Sequence, residues 1–220
     1  MNARKTVTTL AAALLGGLIF TAASPWQTSI VSAQQTAADE LPVEEIVFIP
    51  PGGGAPRDRI GAGTRGAGGG ALLRLIAPAS GGVTATSSPK LYWWLREPYS
   101  GEVEITIRRD GSSQPLLSMT ENVALEAGLS SIDLSDMGMR LQADHVYHWS
   151  VALKAKRVKA LNLVEFRSPA AAAEGSVASK VKDLAGQGYW YDAYALIAEA
   201  PGMEKARDAL QSQVGITLPE

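Results

Sequence analysis

Apolar and polar residues alternate without a break in Gly101-Glu102-Val103-Glu104-Ile105-Thr106-Ile107-Arg108. Val103, Ile105 and Ile107 share one face and the charged residues and threonine the other, and a period of two marks a strand with one buried side. Asp110-Gly111 follows as a hairpin-turn signal, so Pro115 to Met119 is expected to return as the paired strand. Leu91-Tyr92-Trp93-Trp94-Leu95 reads as a core strand and Ser131-Ile132-Asp133-Leu134 as a short one. Val146 to Leu153, with Tyr147, Trp149, Val151 and Leu153 on one face, and Leu161 to Phe166 complete the series. About seven strands in roughly 100 residues is the rhythm of an immunoglobulin-like antiparallel β-sandwich, and 71–168 is assigned to it. Leu141, a few polar residues and then Tyr147 opening a strand resemble the approach to a tyrosine corner.

The period changes after residue 168. Val177, Val181 and Leu184 are spaced four and three apart and Gly186 and Gly188 follow as stops, which predicts an amphipathic helix over Ala173 to Ala185. Trp190, Ala193, Tyr194 and Ile197 mark a second helix ending near Pro201-Gly202, and Met203, Ala206, Leu210 and Val214 a third. Gly188, Trp190 and Ala193 match the spacing at the turn of a tetratricopeptide hairpin, where small residues let helices approach. One such unit lacks the copies needed for a repeat array, so 169–220 is read as a C-terminal helical hairpin of two to three helices docked on the sandwich, giving a mostly β fold with C-terminal α.

Upstream of the strands the pattern is of another kind. Arg4 and Lys5, an apolar run from Val7 to Phe20 and Val31-Ser32-Ala33 are ordered as in a secretory signal peptide, with cleavage expected after Ala33 and Ala23 as the alternative. The apolar run is shorter than the roughly 20 residues of a spanning helix, which disfavours a retained anchor. The expected location is therefore extracytoplasmic, periplasmic or secreted, with no integral membrane segment after cleavage of 1–33. Residues 34–70 combine an acidic stretch, the short apolar run Ile46-Val47-Phe48-Ile49, Pro50-Pro51 and a dense series of glycines. That composition cannot maintain a helix or an internal strand, and it predicts a flexible Gly/Pro-rich arm.

Composition narrows the chemistry. The chain has no cysteine, so disulfides, thiolate nucleophiles and zinc-thiolate sites are excluded and stability must come from packing. The formal net charge is −2, and loss of Arg4 and Lys5 with the signal makes it more negative. Nucleic acid is not an expected partner, since it requires a concentrated basic face.

Gly61-Ala62-Gly63-Thr64-Arg65-Gly66 fits a dinucleotide fingerprint, but that motif works between a strand and a helix, and Ala67-Gly68-Gly69-Gly70 cannot begin a helix. No cofactor is expected. Arg57, Arg59 and Arg65 among the glycines offer guanidinium and backbone donors for a carboxylate, sulfate or phosphate, or else keep a linker soluble. His145 and His148 are three apart on a strand and face opposite sides, which disfavours a metal pair. No G-x-S-x-G elbow is present, and Glu102 and Glu104 sit on a solvated face, so nothing marks a hydrolase. Trp93, Trp94 and Trp149 would stack on sugar rings if exposed, although large aromatics in alternating strands serve the core first. Trp93 and Trp94 must face opposite ways, leaving one of them outside the main core. Trp190 and Tyr191, within Tyr189-Trp190-Tyr191-Asp192, pose the same choice.

Five blocks together resemble domain of unknown function 928, a bacterial family of exported proteins with no assigned activity. They are Pro56-Arg57 leading to Gly61-x-Gly63-Thr64-Arg65-Gly66, then Leu75-Ile76-Ala77-Pro78, Leu91-Tyr92-Trp93-Trp94-Leu95, Tyr147-His148-Trp149, and Gly188-Tyr189-Trp190-Tyr191-Asp192-Ala193. The resemblance runs from about Pro56 to near the C-terminus. Family members often carry a cysteine after the tyrosine-tryptophan strand, where this chain has Lys154-Ala155-Lys156. The resemblance implies a defined contact for Arg57, Thr64 and Arg65, with the sandwich or a partner.

The expected function is that of a non-enzymatic, extracytoplasmic interaction or adaptor module. Its binding residues would be Arg57, Arg59, Gly61, Gly63, Thr64, Arg65 and Gly66 in the arm with Trp94, Trp190 and Tyr191, and its partner a protein. The alternative is a cell-wall or polysaccharide-binding protein using an exposed tryptophan.

Overall fold

The computed structural model describes residues 46–51, 71–168 and 173–218. They form a mostly β structure of two sheets followed by three helices. The strands are β1 (Leu73–Leu75), β2 (Gly82–Thr84), β3 (Lys90–Leu95), β4 (Tyr99–Arg109), β5 (Leu117–Leu125), β6 (Gly128–Asp133), β7 (His145–Leu153) and β8 (Val158–Phe166). The helices are α1 (Val177–Gly186), α2 (Trp190–Ala198) and α3 (Glu204–Gln213). One sheet has the order β1-β3-β6 and the other β2-β8-β7-β4-β5. No helix among the described residues is long and apolar enough to cross a membrane.

The alternation read in the sequence sets the layers. In the five-stranded sheet, Ile105 lies opposite Val151 and Ile107 opposite Trp149, so one apolar face is assembled from β4 and β7. In the three-stranded sheet Leu91, Trp93 and Leu95 share a face, and these residues join Ile105, Ile107, Trp149 and Val151 in a single buried core. Tyr147, at the start of β7, accepts a hydrogen bond on its hydroxyl from the Gln142 amide at 2.9 Å, tying the incoming loop to the strand.

Several expectations are corrected by the structure. The described residues form eight strands where about seven were expected, because β1 and β2 are three residues each and too short to show a period. The pairing is not wholly antiparallel, since β2 runs parallel to β8. The strand after Asp110-Gly111 begins at Leu117 instead of Pro115 and continues to Leu125. Proline brings no N–H to a ladder, and Ser112 closes a local turn by donating to the Gln114 carbonyl, so the connection is longer than a two-residue hairpin. The first helix begins at Val177 instead of Ala173: Gly175 has φ +96°, and Ser176 caps the helix by accepting from the Ser179 amide at 3.2 Å.

Part of the arm has a defined place. Of residues 34–70 only 46–51 are described, and these are docked on the helices. Ile46 and Phe48 are buried, and the Phe48 ring meets Trp190 edge-on at 5.3 Å. Gln213 clamps the same backbone from α3, donating to the Ile46 carbonyl at 2.8 Å and accepting from the Phe48 amide at 2.7 Å. The Ile49 amide donates to Ala185 at the end of α1. The run Ile46-Val47-Phe48-Ile49 is apolar at all four positions, so the alternation of buried and exposed residues was not legible, and four residues beside glycine and proline gave no reason to expect a docking site.

The helices pack through aromatic residues. Trp190 stacks on Tyr194 at 5.7 Å, and Tyr194 meets Tyr92 of β3 edge-on at 5.2 Å. The Lys90 ammonium pairs with Glu199 at 2.7 Å, holding the end of α2 to β3. Of the expected helix positions, Trp190, Ala193, Tyr194 and Ile197 are all buried, while Val177 is exposed.

Candidate functional site

Three of the five sequence blocks meet inside the molecule, at the first turn of α2. Trp190 donates through Nε1 to the carbonyl of Ile76 at 3.3 Å. Tyr191 is fully buried, and its hydroxyl accepts from Trp149 Nε1 at 2.9 Å and donates to the Leu163 carbonyl at 2.8 Å. Burial pushes its phenol far above the ordinary range. Asp192 accepts from the Ala85 amide at 2.7 Å and from the Thr84 hydroxyl at 3.2 Å. Burial raises the Asp192 carboxyl above its ordinary value, and these hydrogen bonds offset only part of that rise. Gly188 has φ +82°, and a Cβ there would lie 2.8 Å from the Ile49 carbonyl. The block is thus a joint that fastens α2 to both sheets and to 46–51.

Trp190 and Tyr191 therefore stand corrected as binding residues: both are in the core, with their polar atoms engaged internally. Asp192 is the residue that reading for chemistry missed. Its position between two tyrosines and an alanine in a helical run was the available signal, since a carboxylate on the apolar side of a helix must find buried partners.

Trp94 alone among the described candidates reaches a surface. Trp93 points into the core, whereas Trp94, on the opposite face of β3, is half-buried. It lines a groove of about 430 Å³ with Leu129, Tyr194, Arg207, Asp208 and Gln211. Leu129 is its cross-strand neighbour. Tyr194 and Gln211 form the buried base: Gln211 Nε2 donates to the Tyr194 hydroxyl at 2.8 Å, and burial is the main cause that pushes this phenol up to about 12. Arg207 is anchored by donation to the Ala198 carbonyl at 3.1 Å, while Asp208 is exposed. An indole face beside a guanidinium, a carboxylate and an amide combines apolar stacking area with donors and acceptors.

Arg57, Arg59, Gly61, Gly63, Thr64, Arg65, Gly66 and the cleavage residue Ala33 lie outside the described residues. The histidines have separate partners. His145 Nδ1 lies 2.7 Å from the Ala143 carbonyl, and His148 Nε2 lies 2.8 Å from Asp110. The His148 hydrogen bond draws the Asp110 carboxyl below its usual range. Glu104 forms an ion pair with Lys154. Among the described residues, no group of three or more histidine, aspartate or glutamate side chains is placed to hold a metal ion.

A family model with the description Domain of Unknown Function (DUF928) matches residues 53–215. No curated protein matches the chain.

Proposed function

We propose a binding function for this chain, which belongs to the DUF928 family: a non-enzymatic, extracytoplasmic module that holds a saccharide in the groove between Trp94 and α3. The observation that carries this reading is the half-buried Trp94 indole facing Arg207, Asp208 and Gln211. A sugar ring offers an apolar face of C–H groups for the indole and hydroxyls for planar polar side chains, and the groove supplies both. Its volume of about 430 Å³ lies within the range of small-molecule sites.

The scaffold would be an immunoglobulin-like sandwich. Supporting this are the strand orders 1-3-6 and 2-8-7-4-5, which match a layout of strands A, B and E facing G, F and C with an added edge strand on either side. The Tyr147 hydroxyl bound to the Gln142 amide agrees with a tyrosine corner preceding strand F. The signal-like N-terminus supports export.

A second reading, a protein partner bound beside the glycine-rich arm, is favoured by Val47 and Ile49, which are 56% and 55% exposed on the segment leading into it.

Titration of the full chain with soluble glycans, N-acetylglucosamine oligomers and cellohexaose, tests the first reading through tryptophan fluorescence. Saturable quenching by either that disappears in Trp94→Ala is expected. Equal quenching in the variant, or none in the wild type, overturns it and turns attention to Val47→Asp, Ile49→Asp in crosslinking.

A further inference from the structure

The two sheets have edges on two sides, and the chain treats those sides differently. Beside β2 and β8 the first turn of α2 is inserted. The Tyr191 ring sits so close to Gly82 that a Cβ there would lie 2.7 Å from it. Its hydroxyl accepts from Trp149 Nε1 and donates to the Leu163 carbonyl. A phenol therefore closes this side and satisfies a buried indole.

On the other side β5 and β6 are both edge strands, and nothing comparable among the described residues enters. A cleft of about 260 Å³ lies there, walled by Trp93, Val103, Ile105, Met119, Val123 and Ile132. Trp93 is 4% exposed, and its Nε1 is buried without a hydrogen-bond partner among the described residues. A buried donor left unpaired costs stability that an acceptor would recover. The two indoles thus share an inner core but not a fate, since Trp149 has its phenol and Trp93 has none.

We propose that this cleft binds a small, neutral ring compound bearing one hydroxyl, which takes at Trp93 the place that Tyr191 takes at Trp149. The cleft holds about nine water volumes at ~30 Å³ each, enough for one substituted ring. Ser130 lies directly opposite Trp93 in the ladder and lines the same cleft, so the guest hydroxyl accepts from the indole and donates to the serine oxygen. Nε1 is closed off from the open cleft, so the guest reaches it only as the wall shifts, and Met119 and Met137, which also line the cleft, supply that movement through their unbranched side chains. Glu121, exposed at the rim on β5, selects against anions. It selects against a further strand as well, because an inward charge on an edge strand is a device against edge pairing. A row of strand side chains would in any case exceed the space of a single ring.

The probe is p-cresol, the side chain of tyrosine as a free molecule, added to the full chain labelled with 15N-tryptophan. Toluene, which lacks the oxygen, and 4-methylbenzoate, which is anionic, are the comparisons, and Trp93→Phe assigns the indole resonance. The Trp93 N–H signal should move downfield and saturate with p-cresol. Toluene should bind about tenfold more weakly, the size expected for one hydrogen bond, and 4-methylbenzoate should also bind more weakly because Glu121 repels its carboxylate. Val123→Phe, which fills the cleft, should weaken p-cresol by tenfold or more while the other indole signals stay in place. If those signals move, Glu121→Gln decides instead, and it should raise the affinity for 4-methylbenzoate and leave that for p-cresol unchanged. An unmoved Trp93 signal, equal binding of toluene, or movement of Trp94 alone overturns the proposal. So does a change of oligomeric state on adding p-cresol, which would make the natural occupant a side chain of a second copy.

Discussion

Removal of a single oxygen atom tests the joint between helices and sheets. Tyr191→Phe keeps the ring, so the edge-on contact with Trp149 at 6.4 Å and the packing on Gly82 persist and no cavity of side-chain size opens. What is lost is the hydroxyl between Trp149 Nε1 and the Leu163 carbonyl. The Trp149 donor is then stranded in the core at about 1–3 kcal/mol, and loss of the bond to Leu163 adds about 0.5–1.5 kcal/mol. The expected destabilisation is about 2–4 kcal/mol, which at about 2–4 °C per kcal/mol for a domain of this size lowers the melting temperature by roughly 5–15 °C. Urea unfolding followed by both circular dichroism and tryptophan fluorescence measures it, with an unchanged slope showing that the unfolded state is unaffected. A loss below about 0.5 kcal/mol would refute the argument, since water would then have to reach Trp149 in a place where the fold leaves no access. A comparable loss with a reduced slope would instead show that α2 had already detached in the native state.

Other substitutions probe neighbouring parts of the same joint. Gly188→Ala places a Cβ 2.8 Å from the Ile49 carbonyl at φ +82°; a cost of about 1–3 kcal/mol is expected, together with faster proteolytic cleavage near residues 46–51, and an unchanged cleavage rate would show that the segment is not seated on this glycine. Asp192 has a folded pKa above its unfolded value, so its contribution is fully present below the unfolded pKa and is lost as pH rises through the folded one. Asp192→Asn retains an acceptor for the Ala85 amide, so the stability of the variant relative to wild type should rise with pH from about 4 upward, and a pH-independent difference in denaturation midpoints would contradict this. Asp110 and Asp133, whose carboxyls lie below their ordinary values, act in the opposite sense in both proteins and cancel in that comparison.

The distribution of what was legible follows from how far each signal reaches along the chain. β4 and β7 could be read because nine or more consecutive residues repeat the same choice of face, and α2 because Trp190, Ala193, Tyr194 and Ile197 do so with a helical period. β1 and β2 hold three residues each, and their place is fixed by partners far off in the chain, Leu95 for Leu73 and Val164 for Gly82. The docking of 46–51 depends on Gln213, more than 160 residues away, and no local pattern contains that information. The candidate site divides in the same way. That Trp93 and Trp94 face opposite sides follows from strand geometry, but which of them is exposed depends on where α3 settles. The aromatic block at 189–191 carries enough polar atoms to look like a binding surface, and it is their mutual satisfaction that makes it interior. The hydroxyl of Tyr191, the indole of Trp149 and the carbonyl of Leu163 each need a partner once buried, and together they supply one another. Trp93 does not fit that rule: it is as buried as its neighbours and lacks the partner they have. The Trp93 indole, rather than the block richest in aromatic residues, is therefore a place where the packing of the described residues leaves a chemical demand unmet.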